Sequence, residues 1–312
     1  MVNPFTAREG TTRPAKTEQP KNIMVVGGGP AGLVASWIAA ERGHNVTCYE
    51  KTGKLGGEFR LASHPPTKGN IASLIGNYIT IARNRGVQFI MNTEVTPELV
   101  RSEGPDAVIL CTGSIPLIPT IEGLRVSSTT SGELKAGNKL KVGQMAGHNV
   151  DGQEPAAMDI VMARDVLDGR LLIGQKILVI GGGSVGAETA DYVARSYREV
   201  TIIEMRGEIG LDEEAVPRIF LMERLSKNGV QFVTDATVKR FTAAGVVYEK
   251  NGTEHTLEGF DTAILALGTQ AYNPLEDKIK GTVKEVHVIG DALKARKVYE
   301  AIDEASAVAL KI

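Results

Sequence analysis

Gly27, Gly29 and Gly32 stand at the spacing G-x-G-x-x-G, directly after the apolar run Ile23-Met24-Val25-Val26. That spacing serves the binding of a pyrophosphate. Gly27 permits a tight turn, Gly29 offers no side chain to a phosphate approaching the backbone, and Gly32 lets a helix lie close to the preceding strand. Pro30 suits the first turn of that helix, whose free N–H groups and positive dipole end would face the phosphates. Glu50 lies 23 positions after Gly27, where an acid accepts from the hydroxyls of a ribose; the plainer alternative is a solvated charge at a strand end. The pattern returns as Gly181, Gly183 and Gly186 after Lys176–Ile180, with Glu204 again 23 positions beyond the first glycine. One such motif is a moderate signal. Strand, turn, helix and spaced acid, repeated 154 positions apart, are not chance.

The elements that must position these residues follow from periodicity. Strands are expected at 23–26, 45–49, 87–91 and 107–111, with helices over 30–42 and 71–85. In the second half, strands are expected at 176–180, 200–203 and 230–233, with helices over 187–195 and 212–227. Three short strands, 237–241, 245–249 and 254–257, read as an antiparallel meander. Strands at 262–267 and 285–289 and a helix over 296–311 close the chain, and residues 158–167 form a short helix candidate. The fold class is α/β, with two Rossmann-like dinucleotide-binding domains. Residues 127–157 are polar, Gly-rich and aperiodic; His148 within them has no second titratable group placed beside it.

Composition narrows the function classes. The 312 residues are 42% hydrophobic and 23% charged, with a net charge of −2, so neither a polyanion nor an anionic membrane is indicated as partner. Cys48 and Cys111 are the only cysteines, too far apart for a C-x-x-C redox pair or a metal cluster, and no metal site is assigned. No apolar run spans a bilayer and the first twenty residues lack the core of a signal peptide, so the expected location is cytoplasmic. No triad, carboxylate pair or other catalytic side chain stands out. Two nucleotide turns without such groups suit two cofactors face to face, a resident flavin and a visiting nicotinamide, because hydride transfer between them needs positioning more than acid–base chemistry.

Taken in order, Gly27–Gly32, Glu50, Leu55-Gly56-Gly57, Cys111-Thr112-Gly113, Gly181–Gly186, Glu204, Leu267-Gly268 and Gly290-Asp291 resemble the two-dinucleotide-binding-domain flavoproteins of the glutathione reductase type. Lys51–Pro66, Asn92–Pro97 and Ile289–Ile302 are similar, more narrowly, to the FAD/NAD(P)H half of large old-yellow-enzyme-type reductases. That group contains 2-enoate reductases, 2,4-dienoyl-CoA reductases and trimethylamine dehydrogenase. The resemblance implies an NAD domain inserted in an FAD domain. The expected division is an arm over 1–20, an FAD domain over 21–122 and 270–312, a linker or insertion over 123–158, and an NAD(P)H domain over 159–269.

The resemblance also assigns residues. Gly27, Gly29, Pro30 and Gly32 would hold the FAD pyrophosphate and Glu50 its adenosine ribose. Val95 would meet the adenine through its backbone. Lys51, Gly57, Arg60, Gly113 and Gly290 would line the FAD site, with Asp291 on the ribityl chain. The helix starting near Arg296 would aim its N-terminus at the flavin pyrimidine. Gly181, Gly183, Ser184 and Gly186 would hold NAD(P)H, with Glu188 near the nicotinamide. Glu204 repels a 2′-phosphate and so favours NADH, while Arg206 leaves NADPH possible. Glu58 stands where the group is expected to carry Gln. The implied function is oxidation of NADH with electrons passed to a separate FMN/iron–sulfur barrel subunit. Two alternatives stand beside it: a self-contained diaphorase or ferredoxin-reductase-like enzyme, and a non-catalytic ADP/FAD-binding module.

Overall fold

The computed structural model describes residues 3–6, 13–125, 141–142 and 158–312. Residues 1–2 and 7–12 of the expected arm and most of the 123–158 linker, His148 included, fall outside the described residues. The chain divides into two compact units, one of Met1–Ser63, Thr67–Ile115 and Thr269–Ile312, the other of His64–Pro66 and Pro116–Gly268.

The first unit is built on a five-stranded parallel sheet, in the order Glu285–Val288, Ala107–Leu110, Asn22–Val26, Asn45–Tyr49, Gln88–Ile90. The central strands are almost uniformly apolar because both of their faces are covered. Helix Pro30–Glu41 packs on one face, its Leu33, Val34 and Ile38 fully buried in a core shared with Val25, Ile109, Ile302 and Ala305. On the other face Met24, Val108 and Leu110 pack with Val100, Leu275 and Ile279. Cys48 and Cys111 are both buried free thiols, and burial pushes the Cys48 thiol up to about 12, so it behaves as a small apolar side chain.

The second unit repeats that plan. Its parallel sheet runs Gln231–Val233, Glu199–Ile203, Lys176–Ile180, Thr262–Leu265, Asp159–Met162. Helix Ser184–Ala194 packs against it through Ala187, Ala190 and Val193. The antiparallel meander is present as Thr237–Phe241, Gly245–Lys250 and Thr253–Glu258, and Asn251 and Gly252 both adopt positive φ at its second turn.

Two sequence expectations are corrected. Residues 158–167 are not one helix: Asp159–Met162 is the edge strand of the second sheet and only Ala163–Leu167 is helical. The run Ile160-Val161-Met162 is buried by pairing with Thr262–Leu265, a partner too distant in sequence for periodicity to show. The last helix begins later than expected, at Val298, and ends at Ala309. The loop at Leu55-Gly56 leads at once into a short helix, Gly57–Leu61.

Candidate functional site

The two glycine turns, one in each unit, share their backbone chemistry. Gly27 and Gly181 adopt φ of +109° and +99°, and a Cβ on either would lie 2.3 Å from the Cys111 carbonyl oxygen or 2.5 Å from that of Ala266. A Cβ on Gly32 or on Gly186 would lie 1.9 Å from the carbonyl oxygen of Gly27 or Gly181 respectively. Only glycine satisfies both demands, a left-handed turn and a helix pressed against it. The turns are tied down identically. Gly27 N–H donates to Tyr49 O at 2.8 Å and Gly181 N–H to Ile203 O at 2.9 Å. Gly56 N–H donates to Gly28 O at 2.8 Å and Gly210 N–H to Gly182 O at 2.7 Å.

Both predicted acids lie at their turns. Glu50 is buried, and its Oε2 accepts from Gly28 N–H at 2.9 Å while Oε1 accepts from the N–H and the hydroxyl of Thr52, each at 2.8 Å. Glu204 is also buried; its Oε2 accepts from Gly182 N–H at 2.6 Å, and its Oε1 from Arg206 N–H at 2.9 Å and Nε at 3.1 Å. Each carboxylate is therefore held in place by backbone donors.

The remaining first-unit residues gather around the same sheet end. Gly57, at φ +53°, sits against the first turn, where its Cβ would lie 3.2 Å from Gly29 Cα. Lys51 Nζ stands 5.5 Å from the centre of the Tyr272 ring. Arg60 lies on helix Gly57–Leu61, and Val95 is buried beside Tyr49 and Val100. Gly113 is at φ +78° and its carbonyl accepts from Tyr272 N–H at 3.0 Å. Gly290 N–H donates to Glu304 Oε2 at 2.8 Å, and Glu304 is ion-paired with Arg296. Asp291 accepts from Arg296 N–H at 3.1 Å and from the Ser114 hydroxyl at 3.3 Å; burial raises its pKa above the usual aspartate value, against the pull of those two donors.

Sequence reasoning missed four residues here. Thr52 and Ser114 fix Glu50 and Asp291. Glu300, in the first turn of helix Val298–Ala309, has Oε2 buried without a hydrogen-bond partner among the described residues. In the second unit, Asp212 binds Ser184 through both oxygens, Oδ1 to the N–H at 2.8 Å and Oδ2 to the hydroxyl at 2.9 Å. None of the four carries a local sequence signal. Glu188 lies half-buried on helix Ser184–Ala194.

The first turn is open to a dinucleotide. Among the described residues, a Cβ on Gly29 would meet nothing within 4 Å and the N-terminus of the following helix has no side-chain cap, so the side of the turn where a pyrophosphate approaches is open.

A parallel α/β fold with two such turns defines a dinucleotide-dependent redox protein. The chain belongs to the pyridine nucleotide-disulphide oxidoreductase family, whose model matches residues 21–305. Its cofactors are FAD and NAD(P)H. It is 32% identical to a cinnamate reductase of Clostridium sporogenes, over 100% of this chain and 42% of that protein. It is also 32% identical to an NADH oxidase of Thermoanaerobacter brockii, over 100% of this chain and 44% of that one. Among solved structures, a complex of 2-naphthoyl-CoA reductase with 2-naphthoyl-CoA matches with a TM-score of 0.84 and 28% identity, covering 100% of this chain and 43% of that chain. These relatives agree with the resemblance to the old-yellow-enzyme-type reductases. The chain spans less than half the length of each. Among the described residues no helix is long and apolar enough to cross a membrane.

Proposed function

We propose that the chain oxidises NADH on an FAD held by its first unit and passes the electrons to a separate redox partner, an old-yellow-enzyme-type FMN/iron–sulfur barrel subunit. The observation that carries this reading is the duplicated turn with its buried acid, Glu50 at Gly28 and Glu204 at Gly182. The relatives' greater length supports a partner domain. Bound FAD supplies the acceptance of a hydride and the release of single electrons.

The chain's residues bind and orient. In the first unit the open face at Gly29 and the N-terminus of helix Pro30–Glu41 receive the FAD pyrophosphate. Glu50 presents its remaining lone pairs to the adenosine ribose. Val95 meets the adenine through its backbone, and Lys51, Gly57, Arg60 and Gly113 line the FAD site. Asp291, held by Ser114 and the Arg296 N–H, takes the ribityl hydroxyls. In the second unit Gly183 and Ser184 receive the NADH pyrophosphate, Glu188 lies near the nicotinamide, and Glu204 accepts from the adenosine 2′-hydroxyl and repels a 2′-phosphate.

The test begins with the purified chain. It carries about one FAD per chain on this reading, and anaerobic NADH bleaches the flavin band within the mixing time or seconds. Dyes reoxidise it slowly, while a barrel protein with a cysteine-rich cluster motif gives fast turnover. A colourless chain that takes up no added FAD overturns the reading. Equally fast turnover on dyes alone transfers it to a self-contained diaphorase.

A further inference from the structure

Asp212 occupies the seat that a pyrophosphate needs. Its two oxygens take both donors of Ser184, the N–H at 2.8 Å and the hydroxyl at 2.9 Å, at the first residue of the eleven-residue helix Ser184–Ala194. A Cβ on Gly183 would lie 3.4 Å from each of those oxygens. The carboxylate therefore lies against the bare face of the second glycine, the face that the G-x-G spacing leaves clear for phosphate. At the first turn the corresponding Gly29 has nothing within 4 Å of its Cβ position among the described residues.

We propose that Asp212 is a built-in competitor for the pyrophosphate of the incoming nucleotide, an autoinhibitory carboxylate that must leave Ser184 before NADH can dock. The inference rests on the second turn being the NADH dock. A carboxylate and a phosphate oxygen cannot share the same two donors, and their like charges repel. Asp212 has somewhere to go. The Arg206 guanidinium, already 3.1 Å from Glu204 through Nε, has Nη2 at 3.9 Å from Asp212 Oδ1. The Asp212 side chain is 49% exposed and precedes helix Ala215–Lys227, so rotation about its own bonds frees Ser184 without disturbing the core. The competition weakens every pyrophosphate-bearing ligand alike, NADH, NAD+ and ADP-ribose, and leaves a bare nucleoside unaffected. It also suits a nucleotide that visits: departure of the product returns Asp212 to the helix N-terminus, which is then never left uncapped.

Asp212→Ala and Asp212→Asn test this in the FAD-loaded protein, with thermal unfolding and flavin content confirming that each variant folds. Calorimetry with ADP-ribose is expected to show binding on the order of tenfold tighter for Asp212→Ala, the scale of a helix-capping carboxylate, and a smaller gain for Asp212→Asn. Adenosine, measured by competition, is expected to bind as in the parent. Unchanged or weaker ADP-ribose binding in both folded variants, with the parent binding normally, overturns the competitor alone. A parent chain that binds neither ADP-ribose nor NADH overturns the dock itself, and the competitor with it.

Discussion

Glu50 and Gly28 are joined by a buried hydrogen bond of 2.9 Å from the glycine N–H to the carboxylate, and Glu204 and Gly182 repeat it at 2.6 Å. The acid thus braces the turn, beyond the ribose contact proposed for it. Glu50→Ala leaves the Gly28 N–H buried and unpaired, at a cost of about 1–3 kcal/mol. A lower melting temperature of the flavin-free protein and a reduced flavin-to-protein absorbance ratio are both expected. An unchanged melting temperature would confine Glu50 to ligand binding.

Glycines of one motif should separate into two kinds. Gly32→Ala places a Cβ 1.9 Å from the Gly27 carbonyl oxygen, with backbone on both sides of the clash. We expect it to lose several kcal/mol of stability or to fail to accumulate, as overpacking against backbone does. Gly29→Ala meets nothing within 4 Å and sits at φ −75°, open to any residue. It should melt within a degree or two of the parent and yet hold FAD at least tenfold more weakly, by equilibrium titration of the apoprotein.

Coenzyme choice is expected to turn on Glu204 and its partner. Arg206 Nε lies 3.1 Å from Glu204 Oε1, so the acid occupies the guanidinium and, on the proposed reading, repels a 2′-phosphate. Glu204→Ser frees Arg206. Steady-state assays should show KM for NADH rising and KM for NADPH falling, a change of about 10–100-fold in their ratio, equivalent to about 1–3 kcal/mol. Adding Arg206→Ala should abolish the gain on NADPH.

Asp291 gives a pH dependence with a definite sign. Burial raises its pKa in the folded protein above the ordinary value of about 4. The folded state therefore binds the proton more tightly than the unfolded chain. The stability this confers is present below the unfolded pKa and is lost as pH rises through the folded one. Asp291→Asn, which keeps an acceptor but no charge, should raise the melting temperature of the apoprotein at pH 7. That advantage should vanish as pH falls below about 4, while FAD affinity drops at every pH.

The second unit holds a buried charge pair that the nucleotide turns do not use. Asp191 is fully buried on helix Ser184–Ala194, with Oδ2 2.7 Å from Arg224 Nε on helix Ala215–Lys227. Arg224→Met strands the carboxylate, and a loss of about 3–5 kcal/mol is expected in denaturant unfolding. Asp191→Asn on that background should recover much of it; no recovery would show that Arg224 acts through its packing.

Both nucleotide turns and both acids, the meander and the α/β class were legible in the sequence because each is a local pattern. Glycine spacing, strand alternation and an acid one strand later report backbone conformation directly. Residues 158–167 were misread because an apolar run beside a helical turn has no periodicity of its own, and the pairing of Asp159–Met162 with Thr262–Leu265 lies far along the chain.

What the sequence by itself determined is the repeated unit: two turns that only glycine can make, each followed by a helix and an acid. What only the tertiary structure decided is the difference between them. Gly29 has nothing within 4 Å of its Cβ position among the described residues and Gly183 faces the Asp212 carboxylate, although the chain folds back on both turns alike, through Gly56 on Gly28 and Gly210 on Gly182, and no local pattern marks the acid that reaches Ser184. Local conformation is written in residue type; the approach of a side chain 28 positions away is set by how the connecting segment packs.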